Sequence, residues 1–388
     1  MLVSFFCADY SNIVLGDGIR VQKILETLRK SSLKIVETRI PGQLTLPPLS
    51  QNTIFESKGQ KTILFNVFPV LKFDNRKLAS TRRVLRKQLD FSVLLNSLVR
   101  SIARLKPDVL LAETSTIGWI ASIVAKRLSI PCVIDVHGIV FAEIAGWGDP
   151  TWRQFREMEK EAFENCSHLI VVSQKMEEYI EREFGVPRSR MSVIPNGSDV
   201  QQSIAHYENP LKVIYAGAFA YWEKVNDFLD IAKQANSTAF NFYLAGSGQM
   251  REQLLNRIRE EHIPISYLGY IPRDKIREVF AQMQIGVAPS TRDIARQVAS
   301  PIKVFDYMAS GLPVVTPKIG DWGNIIEKED SGVAIENDGP EDYVKALDTL
   351  LNRDVWEGKS KNAVRAIREK YTWEKVLEPI PRLLLAYN

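Results

Sequence analysis

Short apolar runs rich in β-branched residues alternate with longer stretches whose apolar positions recur every three or four residues, and the alternation continues from Leu2 to Tyr387. A parallel sheet covered by helices on both faces produces this pattern, because its strands are buried on both sides and its crossovers are amphipathic. In the first half the runs predict strands at Leu2–Cys7, Lys34–Thr38, Thr62–Val67, Val109–Ala112, Cys132–Val136, His168–Val172 and Met191–Ile194. In the second half they predict Lys212–Ala216, Asn241–Ala245, Ile265–Leu268, Ile285–Ala288, Pro313–Thr316 and Gly332–Ile335. Two such series in one chain point to an α/β protein of two doubly wound, Rossmann-like domains facing a central cleft. The division falls after Pro195-Asn196-Gly197, in the polar stretch from Asp199 to Pro210 that follows neither period. The expected domains are therefore 1–200 and 201–372, with a closing helix over 373–388 returning to pack on the first.

Composition supports two cores, since 388 residues with 45% hydrophobic content exceed what a single core usually organises. No apolar run reaches the roughly 18 residues of a membrane span, and Val109–Ala125 is interrupted by Glu113 and several hydroxyls. Met1–Cys7 lacks a basic leader and reads as a first strand. Cys7, Cys132 and Cys166 have no metal-ligand spacing, which predicts no metal site and a reducing, cytoplasmic setting.

The net charge of +4 is unevenly spread. Between Lys72 and Lys106 stand Lys72, Arg76, Lys77, Arg82, Arg83, Arg86, Lys87, Arg100, Arg104 and Lys106, against Asp74 and Asp90. Leu85, Leu89, Leu95, Leu98, Ile102 and Leu105 recur at helical spacing through the same span. This basic amphipathic segment is either a solvated face or a peripheral contact with anionic membrane, at about 1 kcal/mol per basic residue. No aromatic interleaving or recognition module accompanies the charge, so nucleic acid is excluded as a partner.

Candidate chemistry concentrates in Ser300-Pro301-Ile302-Lys303-Val304-Phe305-Asp306-Tyr307-Met308-Ala309-Ser310-Gly311. Proline suits a first helical turn and Ser300 is the expected cap, leaving free N–H groups to face an anion. Lys303 near the N-terminus and Asp306 one turn in are ordered against the helix macrodipole. Local stability does not explain that order, whereas a phosphate beside a hydroxyl-bearing sugar would. Further signals follow the same logic: Gly16-Asp17-Gly18 after the first strand, and His137 in Ile134-Asp135-Val136-His137-Gly138 at a strand's carboxyl end.

Other short motifs appear in a fixed order: Pro195-Asn196-Gly197-Ser198-Asp199, Tyr215-Ala216-Gly217, Leu244-Ala245-Gly246-Ser247-Gly248, Leu268-Gly269-Tyr270-Ile271, Ala288-Pro289-Ser290, the Ser300 helix, and Tyr371-Thr372-Trp373. In that order they resemble the GT-B glycosyltransferases, and in particular the retaining, nucleotide-sugar-dependent enzymes of family 4 (group 1). The resemblance implies transfer of a sugar from a nucleoside diphosphate donor to a glycan, lipid-linked or small-molecule acceptor on the N-terminal domain. It implies no cofactor beyond the donor and no metal. Asp306 takes the place of the second glutamate of the family's donor motif and by similarity accepts the ribose hydroxyls. The first glutamate's place holds Val298, so Arg292, Asp293 and Arg296 become candidates to contact the sugar. Ala218 stands where an arginine is common, which leaves Lys224 and Lys303 to meet the diphosphate.

By the same resemblance His137 meets the donor sugar, Gly16 and Gly18 stand in the family's glycine loop near the donor phosphate, and with them Gly217, Tyr270, Ile271, Ser290, Ser300, Pro301 and Ile302 bind the donor. His168, His206 and His262 read as structural. The alternatives left open are a non-catalytic nucleotide- or lipid-binding protein of the same fold, and a nucleotide-sugar epimerase.

Overall fold

The computed structural model describes residues 1–8, 16–40, 53–57, 60–64, 92 and 95–387. The first half runs β1 (Leu2–Ala8), α1 (Gly16–Lys30), β2 (Lys34–Ile40), β3 (Thr53–Ser57), β4 (Gln60–Leu64), α2 (95–105), β5 (Val109–Glu113), α3 (Ser115–Leu128), β6 (Cys132–Val136), α4 (Val140–Gly146), α5 (Trp152–Asn165), β7 (His168–Val171), α6 (Gln174–Phe184) and β8 (Met191–Val193). Its strands form one sheet in the order β3-β4-β2-β1-β5-β6-β7-β8. All neighbours are parallel except β3 and β4, a hairpin at the edge. The continuous apolar runs are the central strands: every residue of β5 and β6 is buried.

The second half runs β9 (Leu211–Ala218), α7 (Val225–Gln234), β10 (Phe240–Ser247), α8 (Arg251–Glu260), β11 (Ile265–Gly269), α9 (Arg273–Phe280), β12 (Ile285–Val287), α10 (Ile294–Gln297), α11 (Ile302–Ala309), β13 (Val314–Pro317), α12 (Gly320–Lys328), β14 (Gly332–Ile335), α13 (Pro340–Thr349) and α14 (Arg353–Ala366). The order β11-β10-β9-β12-β13-β14 is parallel throughout. Both sheets are therefore doubly wound. The strand order reverses between β1 and β5 in one and between β9 and β12 in the other, where such sheets open a crevice at their carboxyl ends.

Two last helices, α15 (Trp373–Leu377) and α16 (Pro379–Leu385), cross back to the first sheet, where Trp373, Leu377, Ile380 and Leu384 join Phe5, Ile24 and Leu28 in one core. The return strand of chain lies beside the outgoing one: Ser198 N–H donates to Tyr371 C=O at 3.0 Å, and Trp373 N–H donates to Ser198 C=O at 3.2 Å. Local caps fix the rest. Ser173 accepts the Met176 N–H at 2.9 Å to start α6, and Gly185 ends that helix in the left-handed region.

Among the described residues no helix is long and apolar enough to cross a membrane. Of the basic segment, Lys72 to Lys87 lie outside the described residues, while Arg100 and Arg104 stand on α2.

Candidate active site

A cleft of about 910 Å³ lies between the two sheets, within the range of small-molecule sites. The carboxyl ends of β9 and β10 and the start of α11 form one wall, and Ile19, His137, Glu143 and Asn196 line the other.

On α11 the N-cap is Pro301, with φ −66°, and Ser300 makes no capping bond. This corrects the expected cap. The Ser300 hydroxyl instead accepts the Asn196 N–H at 3.1 Å, and its carbonyl accepts Asn196 Nδ2 at 2.6 Å, so the residue ties the helix start to the first half. Ser300, Pro301 and Ile302 still line the cleft. Lys303 also faces it, ion-paired with Glu223 and 3.1 Å from the Tyr215 hydroxyl, with its ammonium 4.6 Å from the Tyr215 ring centre. That hydroxyl donates to the Ala218 carbonyl at 2.7 Å, so it accepts from the lysine. Two of the three ammonium protons are thus placed, and the third is available to a ligand.

Burial lowers the Lys303 pKa against the opposing pull of Glu223. Burial likewise acts to raise Glu223, but Lys303 and Arg296 hold it below its ordinary value. Gly217 makes the approach possible, since a Cβ there would sit 2.7 Å from Lys303 Nζ. Gly246, at φ +135°, crosses so close that a Cβ would lie 1.9 Å from the Gly217 carbonyl oxygen.

One turn further, the Asp306 carboxylate lines the cleft and is buried. Arg273 Nη1 pairs with Oδ2, Arg273 Nη2 donates to Oδ1 at 2.7 Å, and the Ser198 hydroxyl donates to Oδ1 at 2.7 Å. Three of its roughly four lone-pair positions are filled, which fixes the direction of the remaining one. Beside it, Asp199 bridges the halves, 3.0 Å from Lys23 Nζ on α1 and 2.6 Å from Arg277 Nη2 on α9.

The opposite wall rests on a buried ion pair. Arg20 Nη2 lies 2.7 Å from Asp135 Oδ1 and Nε lies 2.9 Å from Oδ2. The other guanidinium protons go to the Ile194 carbonyl at 3.0 Å, the Pro195 carbonyl at 3.1 Å and Asn196 Oδ1 at 3.1 Å. All five donors of the arginine are used. His137 Nε2 lies 3.0 Å from Asp135 Oδ2. Burial would raise the Asp135 pKa, but the Arg20 and His137 contacts bring it well below the usual carboxylate range. The charged aspartate thereby orients the histidine that faces the cleft.

The remaining expected residues are distributed unevenly. Tyr270, half exposed, and Ile271 line the cleft, as does Gly217. Gly16 and Gly18 belong to the first turn of α1, not to a loop, and the cleft is lined there by Ile19. The residues 9–15 before them are outside the described residues. Ser290 is buried behind the wall, donating to the Trp222 carbonyl at 3.3 Å and accepting from Arg296 Nε at 3.0 Å. Lys224 is not among the cleft-lining residues: its Nζ is 2.7 Å from Asp227 and 3.1 Å from Asp338. Of the candidates near Val298, Asp293 caps α10 by accepting the Arg296 N–H at 3.1 Å, and Arg292 reaches the Glu336 carbonyl. Arg296 alone of the three lines the cleft, 3.7 Å from Glu223.

Sequence reasoning did not single out Arg20, Arg273 or Glu223 for the site. Glu223 precedes the expected lysine, and a signal existed for a partner of Asp135, a charge in the middle of an apolar strand. Nothing local named Arg20 or Arg273.

The model of the family described as glycosyl transferases group 1 matches residues 210–353, and that of Glycosyltransferase Family 4 matches residues 59–202. The chain belongs to the group 1 glycosyltransferases of family 4. Its architecture is the GT-B fold, as in sucrose-phosphate synthase from Thermosynechococcus elongatus, with a TM-score of 0.76, 15% identity and 100% of both chains covered. Anabaena HepE in complex with UDP superposes with a TM-score of 0.72 at 15% identity, again over 100% of both chains. Among relatives by sequence, the Escherichia coli UDP-Gal:alpha-D-GlcNAc-diphosphoundecaprenol alpha-1,3-galactosyltransferase is 23% identical over 316 residues, 74% of this chain and 78% of the relative.

Proposed function

We propose that this glycosyltransferase moves a sugar from a nucleoside diphosphate to an acceptor held by the first half, with retention of anomeric configuration. The observation that carries the donor assignment is the pairing on α11: Lys303 and Asp306 both line one cleft, a cation at the helix start and a carboxylate one turn on. The diphosphate lies against Lys303, Arg296 and the N–H groups of the first turn of α11, and one ribose hydroxyl donates to the remaining lone pair of Asp306 beside Arg273. UDP is the first donor nucleotide to test, because HepE is solved with UDP and with UDP-glucose.

In the transfer step the bond from the anomeric carbon to the phosphate oxygen breaks while the acceptor oxygen bonds to that carbon. The acceptor's proton passes to the departing phosphate oxygen. No separate protein base is required by this route. Positive charge already in place at Lys303 and Arg296 stabilises the leaving diphosphate, so the reaction runs without a divalent metal. Activity that vanishes with EDTA and returns with Mn²⁺ would contradict this part.

Cys7, Cys132 and Cys166 are buried thiols, which suits the cytoplasm. The basic span 72–106 supports an acceptor on an anionic lipid surface. Thermal shifts with UDP, GDP, ADP, dTDP and their sugars test the donor reading, and stabilisation by none of them would reject it. Binding of a donor without release of sugar, with or without acceptor lipids, would return the chain to a nucleotide-binding role.

A further inference from the structure

Val298, at the place of the motif's first glutamate, has its side chain in the core of the first half, and its carbonyl accepts the Ser173 hydroxyl at 2.6 Å. That position therefore offers no carboxylate to a sugar. A transferred sugar still displays several hydroxyls, and a carboxylate is their strongest acceptor. Among the described residues three carboxylates line the cleft: Asp306 at the ribose end of α11, Glu223 beside Lys303, and Glu143 across the cleft on α4, on the wall that carries His137.

The place of Glu143 is built with some care. Glycine at 138 makes room for it, since a Cβ there would lie 2.6 Å from Glu143 Oε1. Helix α4 is held at its start by the buried Glu159, which accepts the Val140 N–H at 2.9 Å and the Phe141 N–H at 3.1 Å. Its far end is pinned by the second half: Trp147 packs edge-on to Tyr221 at 4.9 Å and to Trp222 at 5.6 Å, and the Tyr221 hydroxyl donates to the Glu143 carbonyl at 3.5 Å. Trp222 lines the cleft as well. The carboxylate thus stands beside Gly138, next to His137, on a helix held between its own half and the aromatic residues of the other.

We propose that Glu143 is the sugar-contacting residue of the donor site, supplied by the first half where the second half has Val298. The proposal rests on the donor-binding reading above. Its test compares nucleotide with nucleotide sugar in the wild type, Glu143→Gln and Glu143→Ala, by calorimetric titration with UDP, UDP-glucose, UDP-galactose and UDP-N-acetylglucosamine. UDP should bind all three proteins within about twofold. The sugar nucleotide preferred by the wild type should weaken about tenfold to a hundredfold in Glu143→Ala, with the glutamine variant between, and discrimination among sugars should narrow. Equal loss of UDP and of its sugars, or an unchanged ratio between them, would overturn the proposal and leave the donor reading standing. Failure of the wild type to bind any of the four would sink both.

Discussion

On the second half two of the charged groups facing the cleft, Lys303 and Asp306, sit three residues apart on one helix, whereas on the first half Arg20, Asp135 and Asn196 are brought together from positions as much as 176 residues apart. The two walls also differ in dryness. Arg20 and Asp135 are 1% and 0% exposed, while Arg273 and Asp306 are 27% and 7% exposed. A pair cut off from water is a structural commitment, because losing one partner strands the other charge. A pair open on one side can exchange a partner for a ligand. The first wall is thereby a rigid frame and the second a receptive surface.

The largest effect that would break this contrast concerns Arg20. Arg20→Met should destabilise the protein by about 3–5 kcal/mol in urea unfolding, since it takes the guanidinium from the buried, charged Asp135 and leaves it to His137 Nε2 at 3.0 Å. Arg273→Ala should cost less, about 1–2 kcal/mol, because solvent reaches Asp306 once the guanidinium is gone and Ser198 still donates to it. Equal losses in the two variants would erase the distinction between frame and surface.

A pH experiment sharpens the same point. Burial pushes the Glu159 pKa up to about 7, against the bonds from Ser115, Phe141 and Val140. The folded protein therefore keeps a proton that the unfolded chain gives up near its ordinary value of 4.5. The Glu159 contribution to stability is complete below about pH 4.5 and declines as pH rises towards 7. Glu159→Gln should gain stability relative to the wild type across that window and then level off, as read from paired denaturation curves. A constant difference between pH 5 and 8 would contradict the assignment.

The smallest effect belongs to Lys224. Its ammonium is shared by Asp227 and Asp338 on a partly exposed surface, so Lys224→Ala should change stability by less than about 1 kcal/mol and UDP affinity by no more than about twofold.

The same contrast explains what was legible in the chain. Runs of β-branched residues marked thirteen of the strands, and the hairpin strand Thr53–Ser57 escaped because it is short, pairs antiparallel at the edge and has polar ends. The order of Lys303 and Asp306 was readable because one helix carries both. Arg20 was not, since an arginine on an amphipathic helix reads as a solvated group until the fold sets it against β6. Ser300 was misread as a cap because its competitor for the hydroxyl, the Asn196 N–H, lies 104 residues away. Gly16 and Gly18 looked like a loop because glycines seldom open a helix.

The central claim is that the receptive wall binds a nucleoside diphosphate through Lys303. Calorimetric titration of UDP into the wild type and Lys303→Ala tests it most directly. The account predicts measurable binding to the wild type and a loss of about tenfold to a hundredfold in the variant, with unfolding still cooperative. Undiminished affinity in Lys303→Ala would contradict it.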